Sequence, residues 1–266
     1  MWLSTRSECS VSTPNPYTQG ALAVIGLIWL LMQATVAQGN NADQRLLNAM
    51  GTIFCDGKIR GSAVHISLSE KSAPDDSVIL SAAHIMFDPN SGKAFKSCQY
   101  RPQNKRFSGL LVEAVSTAHY EASGSDKLAQ ANNDIVLLKP KHRLYQSTLA
   151  VSDNGAANSG KLLLVAYSSD LDRITLSEPC TALVSKQPVS KHLLLHDCGA
   201  QAGTSGGAIV DTSSGKIVAI HGGALVFNSL YLSHKRDQID PRMLVNQGRI
   251  IDRQIIENFS GKNTES

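Results

Sequence analysis

Ten short runs of β-type composition recur along the chain, and no convincing amphipathic helix lies between them. They fall near Thr52–Phe54, Ser62–Ser67, Val78–Ser81, Leu110–Val115, Ile135–Leu138, Leu162–Ala166, Thr181–Ser185, Leu193–His196, Ala208–Val210 and Ile217–His221. Turn residues punctuate them at Pro74-Asp75-Asp76, Asp88-Pro89-Asn90-Ser91-Gly92, Asp153-Asn154-Gly155 and Ser213-Ser214-Gly215. Parallel strands need crossover segments, usually helical, so this spacing predicts an all-β barrel or sandwich. One helix is expected, over about residues 241–259, where Ile250, Ile251, Ile255 and Phe259 sit at helical spacing after Asp240-Pro241. The chain breaks weakly at Gln146–Gly160, which is rich in Ser, Ala, Asn and Gly.

Composition narrows the function classes. Of 266 residues, 42% are hydrophobic and 18% charged, which suits a substantial core and excludes disorder or coiled coil. Twenty-five Lys and Arg against 22 Asp and Glu leave +3, too small a surplus to point to nucleic acid. The basic runs at 101–106 and 139–143 read as solvated loops.

The N-terminus sets the compartment. Ala21 to Met32 is a run of 12 mostly apolar residues with Arg6 upstream and Ala34-Thr35-Val36-Ala37 downstream. A membrane span needs about 20 apolar residues, so residues 1–37 read as a secretory signal cut before Gln38. An uncleaved anchor is the alternative: extension to Ala37 gives 17 residues but takes in Gln33 and Thr35. Residues 38–49 would be a short N-terminal segment or propeptide. The mature protein would be secreted or periplasmic, a monomer with no stable membrane insertion. Cleavage removes Cys9 and leaves Cys55, Cys98, Cys180 and Cys198, an even count that favours two disulfides in any of three connectivities. With no Cys-x-x-Cys pair, a zinc knuckle or thioredoxin-like motif is unsupported.

Three segments carry chemistry together. Val78-Ile79-Leu80-Ser81-Ala82-Ala83-His84 is an apolar strand ending in a histidine. Asn132-Asn133-Asp134-Ile135-Val136-Leu137-Leu138 places an acid at the mouth of a strand, and Gly203-Thr204-Ser205-Gly206-Gly207-Ala208-Ile209-Val210 places a serine in a glycine turn. Singly, each has a structural explanation: a strand-end histidine, a turn aspartate, a Gly-Ser loop. Jointly they supply what acyl transfer needs. A serine hydroxyl requires a base, the imidazole requires a carboxylate to fix its tautomer, and the developing oxyanion requires backbone N–H groups.

In their order His84, Asp134, Ser205, these segments resemble those of chymotrypsin-like (trypsin-fold) serine proteases. The likeness runs over about residues 50–225. Ile220-His221-Gly222-Gly223 makes the chain similar to the bacterial branch that includes glutamyl endopeptidases. The resemblance implies two antiparallel six-stranded β-barrels, at about 50–147 and 160–235, with the active site between them and a C-terminal helix. It implies His84 as base, Asp134 as its orienting partner, Ser205 as nucleophile and the Gly203 and Ser205 N–H groups as oxyanion hole, without metal or other cofactor. The substrate would be a protein or peptide. Pairing Cys55 with Cys98 and Cys180 with Cys198 then keeps each bridge inside one barrel.

The departures bear on activation and specificity. Ile85 follows His84 where the family often has Cys, and Thr204 precedes the serine where Asp is common. Thr204 cannot form the ion pair that Asp makes with a new N-terminus, so activation by that insertion is not expected. Gly199 and Ala200, at the floor of the implied primary pocket, bring no carboxylate to select Arg or Lys. His221, Gly222 and Gly223 would line its wall, and the matching histidine of glutamyl endopeptidases binds Glu. Ala200, however, stands where those enzymes usually add a hydroxyl. A small pocket for uncharged side chains is the alternative. Gly203–Gly207 also fits the Gly-x-Ser-x-Gly elbow of α/β-hydrolases, but that elbow needs a following helix and a base after the serine. A protease-fold binding protein without activity is the remaining alternative. His192 and His196 could suggest a metal, but in an extended strand residues four apart lie about 13 Å from each other.

Overall fold

Strand β1 (Met50–Cys55) returns as β2 (Lys58–Ser67) through Asp56-Gly57, whose φ angles of 47° and 81° match the twist of an antiparallel hairpin. This computed structural model describes residues 41–67, 77–103, 109–116, 119–152, 160–183, 190–226, 244–252 and 255. The expected signal segment and its cleavage point before Gln38 lie outside the described residues, as do the turn signals at 74–76 and 153–155. Among the described residues, no helix is long and apolar enough to cross a membrane.

The hairpin belongs to a barrel completed by β3 (Val78–Ser81), β4 (Cys98–Pro102), β5 (Leu110–Ser116) and β6 (Val136–Pro140). The order is β1-β4-β5-β6-β3-β2, closed by the β1–β2 pairing, with the two-residue β7 (Leu149–Ala150) added parallel to β2. A second barrel consists of β8 (Lys161–Ser168), β10 (Cys180–Leu183), β11 (Leu193–His196), β12 (Ala208–Asp211), β13 (Ile217–Val226) and β14 (Leu244–Ile250). Its order is β10-β11-β14-β13-β12-β8, closed by β10–β8, and β9 (Arg173–Leu176) joins the outside of β8. Two closed six-stranded antiparallel barrels are thus present, as the resemblance implies. Closure leaves few free edges, which lets strands as short as four residues persist.

Burial explains why several strands read as continuous apolar runs. All four residues of β3 and of β12 are buried, so neither strand shows the alternation of a half-exposed sheet. The larger apolar cluster draws on both barrels, including Ile53, Leu80 and Leu138 from the first with Val165, Val210 and Ile220 from the second. A smaller cluster fills the second barrel with Leu162, Leu164, Ile209 and Val218 around Cys180 and Cys198.

The expected C-terminal helix needs correction. Leu244–Ile250 is a strand that pairs with β11 on one side and β13 on the other, so the second barrel extends to Ile250. Its inward residues include Gln247 and Arg249, both buried and polar, so the apolar alternation that marks a strand is missing. Ile250 and Ile251 then fell by accident into register with Ile255, which is helical; Phe259 lies outside the described residues. Strands β4, β7, β9 and β14 are additions to the ten expected.

Both disulfides pair as the barrel division implied. Cys55 and Cys98 face each other in the β1–β4 register, and Cys180 is joined to Cys198 across 18 residues. The loop-entropy argument assigns the shorter bridge about 3 kcal/mol. Converting Cys180 and Cys198 together to Ser should therefore lower urea-unfolding stability by about 2–4 kcal/mol. A loss well under 1 kcal/mol would show that the second barrel does not depend on it.

Candidate active site

Three elements end near one another and carry the singled-out side chains. β3 runs through the buried Ala82 and Ala83 into a single 3₁₀ turn, Ala83–Met86, which presents His84 half-exposed. Two small residues before the histidine let this turn pack against the core. The acid comes from the end of a short helix, Lys127–Asn132, which the sequence did not reveal. Asp126 caps it by accepting N–H bonds from Leu128 and Ala129 at 2.9 and 3.1 Å. Asp134 follows, buried, with both carboxylate oxygens committed to one residue. Oδ2 is 2.7 Å from His84 Nδ1, and Oδ1 accepts the His84 backbone N–H at 2.8 Å.

That geometry fixes the tautomer. A carboxylate only accepts, so His84 Nδ1 carries the proton and Nε2 offers a lone pair. Burial disfavours the imidazolium, but the Asp134 charge and its hydrogen bond outweigh that penalty and hold the His84 pKa above 6.5. Buried Arg249 on β14 donates to the Asn132 carbonyl two residues before Asp134, and also to Asp252 Oδ2 at 3.0 Å.

Ser205 lies half-buried in the turn before β12. Gly206 N–H donates to the His221 carbonyl and His221 N–H returns to the Gly207 carbonyl, each at 2.8 Å. Gly203 and Gly206 have φ of +91° and +83°, and a Cβ at Gly206 would run into the Ser62 carbonyl and the Ser81 hydroxyl. The glycines around the serine therefore answer both a backbone angle and a close approach. The Ala202 carbonyl accepts from Ser169 N–H at 3.0 Å, which turns the N–H of the same peptide, that of Gly203, the opposite way. Among the described residues, neither Gly203 N–H nor Ser205 N–H meets a protein acceptor. Thr204 spends its hydroxyl on the Gln201 carbonyl at 2.7 Å.

A cavity of about 840 Å³ is bordered by Gly199, Ala200, Gln201 and Thr204 together with β8 and β9. Among its described lining residues are none of His221, Gly222 or Gly223. His221 is buried, and its Nδ1 lies 3.2 Å from Nε2 of His196, a partner the sequence did not suggest. The Cys198 N–H bears on the proton positions, and the Gln247 backbone hydrogen-bonds both imidazoles. Cys198 N–H donates to His196 Nδ1, so a neutral His196 carries its proton on Nε2, the atom facing His221 Nδ1. A neutral His221 bears one proton of its own. Burial, reinforced by His196 and His84, pushes the His221 pKa down to about 3, and burial pushes that of His196 to about 4. The Gln247 amide packs over Gly222 beside Asp134 Oδ2, and its buried Oε1 has no partner. His192 pairs instead with Asp252, at 3.4 Å, so the two histidines of β11 and its approach share no ligand geometry. No group of metal-binding side chains occurs among the described residues.

Comparison with known proteins agrees with the fold. Residues 61–220 match the trypsin-like peptidase domain. No curated protein is significantly similar in sequence. Among solved structures, a Glu endopeptidase in complex with MPD superposes with a TM-score of 0.57 at 14% identity, covering 84% of this chain and 94% of that one. The Rv3671c protease from M. tuberculosis, in its active form, gives 0.54 at 15% identity over 98% and 94% of the two chains. The HtrA-type protease AlgW with a decapeptide gives 0.53 at 14% identity over 85% and 67%. At such identities the superpositions speak for the fold, while the match over residues 61–220 speaks for the family. This chain belongs to the trypsin-like peptidase family and is a hydrolase of the serine-protease type.

Proposed function

We propose that the protein is an exported serine endopeptidase that cleaves through an acyl-enzyme. The observation that carries this reading is the Asp134–His84 pair, which leaves the His84 Nε2 lone pair free, together with a serine turn whose Gly203 and Ser205 N–H groups meet no protein acceptor among the described residues. Ser205 Oγ attacks the scissile carbonyl while His84 Nε2 takes its proton, and Asp134 stabilises the imidazolium that results. Gly203 and Ser205 N–H groups receive the oxyanion. The imidazolium then protonates the leaving amine, and water hydrolyses the ester by the same route. Two disulfides favour an oxidising compartment, in keeping with the leader at residues 1–37. A fluorophosphonate probe tests the reading: it should label the mature chain and fail on Ser205→Ala. Absence of labelling in the folded protein would make it a binding protein instead.

The same reading extends to specificity. A neutral His221 retains one N–H, a donor suited to an oxygen acceptor in the substrate, which favours Glu before the scissile bond. A hydrogen bond to a charged acceptor contributes about 1.5–3 kcal/mol, hence about 10- to 100-fold in kcat/KM over Leu. Matched peptides carrying Glu, Gln, Leu or Arg decide it. Equal rates for Gln and Glu, or an unchanged preference in His221→Ala, would end carboxylate recognition by His221.

A further inference from the structure

A turn that leaves two N–H groups unpaired on one side is not the lowest state of a free chain. Rotating the peptide between Ala202 and Gly203 would point its carbonyl where the N–H now points, and glycine at 203 makes the rotation sterically easy. Something must hold Gly203. Its preceding peptide is held by Ser169 N–H on the Ala202 carbonyl. Its following peptide is held from the other barrel, by a residue no motif singled out.

Ser62, in β2, is fully buried, and its hydroxyl and its backbone N–H are both directed at this turn. Its hydroxyl donates to the Gly203 carbonyl at 2.9 Å and accepts Tyr167 N–H at 2.8 Å. Its backbone N–H donates to the Ser205 carbonyl at 2.7 Å. Its own carbonyl is fixed by the Ser81 hydroxyl at 2.6 Å, one strand away and three residues before His84. Gly61 lets β2 come close, since a Cβ there would strike the Ser205 carbonyl. Thr204 offers no substitute, because its hydroxyl is spent on Gln201.

We infer that Ser62 is a positioning residue for the oxyanion hole: its hydroxyl locks the Gly203 carbonyl and the start of the Ser205 turn so that the Gly203 N–H stays aimed at the reacting carbonyl. The inference rests on the acyl-transfer reading above. It also accounts for how a chain with Thr204 keeps the hole formed without an ion pair. Ser62 acts through the Gly203 and Ser205 carbonyls rather than on the reacting atoms.

The test separates a positioning role from a merely structural one. Ser62→Ala keeps the strand but removes the hydroxyl. Assayed well below its measured Tm, it should lose about 10- to 100-fold in kcat with KM within about threefold, a fraction of what losing a hole donor outright costs. A peptide aldehyde, whose hemiacetal oxygen occupies the hole, should lose affinity by the same factor as kcat/KM. The matching peptide amide, which does not use the hole, should bind as before. Ser62→Cys, which fills the same space with a weak donor, should fall between the two and serves if the alanine variant does not fold. Wild-type kcat in the cysteine variant, or equal weakening of aldehyde and amide, would overturn the inference. Failure of the wild-type chain to take the fluorophosphonate would instead overturn the acyl-transfer reading itself.

Discussion

Ser205→Ala and His84→Ala are each expected to lower kcat by about 10⁴- to 10⁶-fold while leaving the thermal transition nearly in place. That is about 5–8 kcal/mol of transition-state stabilisation, on the conversion of 1.36 kcal/mol per decade. The two losses should not add, because hydroxyl and imidazole act in one proton transfer. Asp134→Asn probes the tautomer. An amide accepts only through its oxygen, so either its NH2 faces Nδ1 and the ring takes the wrong tautomer, or its NH2 faces the His84 backbone N–H and that bond is lost; a loss of about 10⁴ is expected. The pH dependence carries a sign. His84 must be neutral to act, and Asp134 holds its pKa above 6.5, so the acid limb of kcat/KM should lie above pH 6.5. In Asp134→Asn burial acts unopposed, and the limb should move to lower pH. Peptide hydrolysis by Ser205→Ala at the wild-type rate would remove Ser205 from the reaction.

What the sequence disclosed, and what it hid, divides by range. The histidine, aspartate and serine each end a buried strand within a few residues of a small-residue or turn signature, so local pattern suffices to find them. Ser62 meets Gly203 across 141 residues, and nothing local distinguishes it from any serine at a strand start. His196 was visible only as a partner for His192. Its true partner, His221, lies 25 residues on and becomes a neighbour only when β11 and β13 flank β14. Strand β14 reads as helix because two of the residues it buries beside Val245, Gln247 and Arg249, are polar. Their burial is made tolerable by contacts that no periodicity encodes, such as Arg249 on the Asn132 carbonyl. His221 packs on His196 while Gly199 and Ala200 border a cavity beside β8 and β9, contacts that no local pattern in the sequence announces.

Stability is expected to fall steeply below pH 6.5, for a reason separate from catalysis. Among the described residues, three histidines are almost fully buried: His65 on β2, His196 on β11 and His221 on β13. Burial pushes their pKa values down to about 4, about 4 and about 3 respectively. In the unfolded chain each returns to about 6.5. Between those values the unfolded state binds protons that the native state refuses, so stability is retained above pH 6.5 and lost as pH falls toward 4. One such histidine costs up to about 1.4 kcal/mol per pH unit, so His65 alone removes about 3 kcal/mol by pH 4. His196 and His221 face each other, so their first proton enters as a shared one and adds a loss in the same direction. His84 acts oppositely: its raised pKa means acid favours the folded state, a partial offset from one residue against three. With about 5–15 kcal/mol of total stability in a typical domain, the balance should bring unfolding within reach between pH 4 and 5. Urea titrations at pH 8, 6.5, 5.5 and 4.5 would show a midpoint that rises slightly from pH 8 to 6.5, as His84 takes its proton, and drops below 6.5. His65→Gln removes one titrating site whose Nδ1 has no partner to lose, and its profile should be shallower by about one proton. A midpoint unchanged from pH 8 to 4.5, or the same slope in His65→Gln, would show that these imidazoles take up protons without leaving the fold.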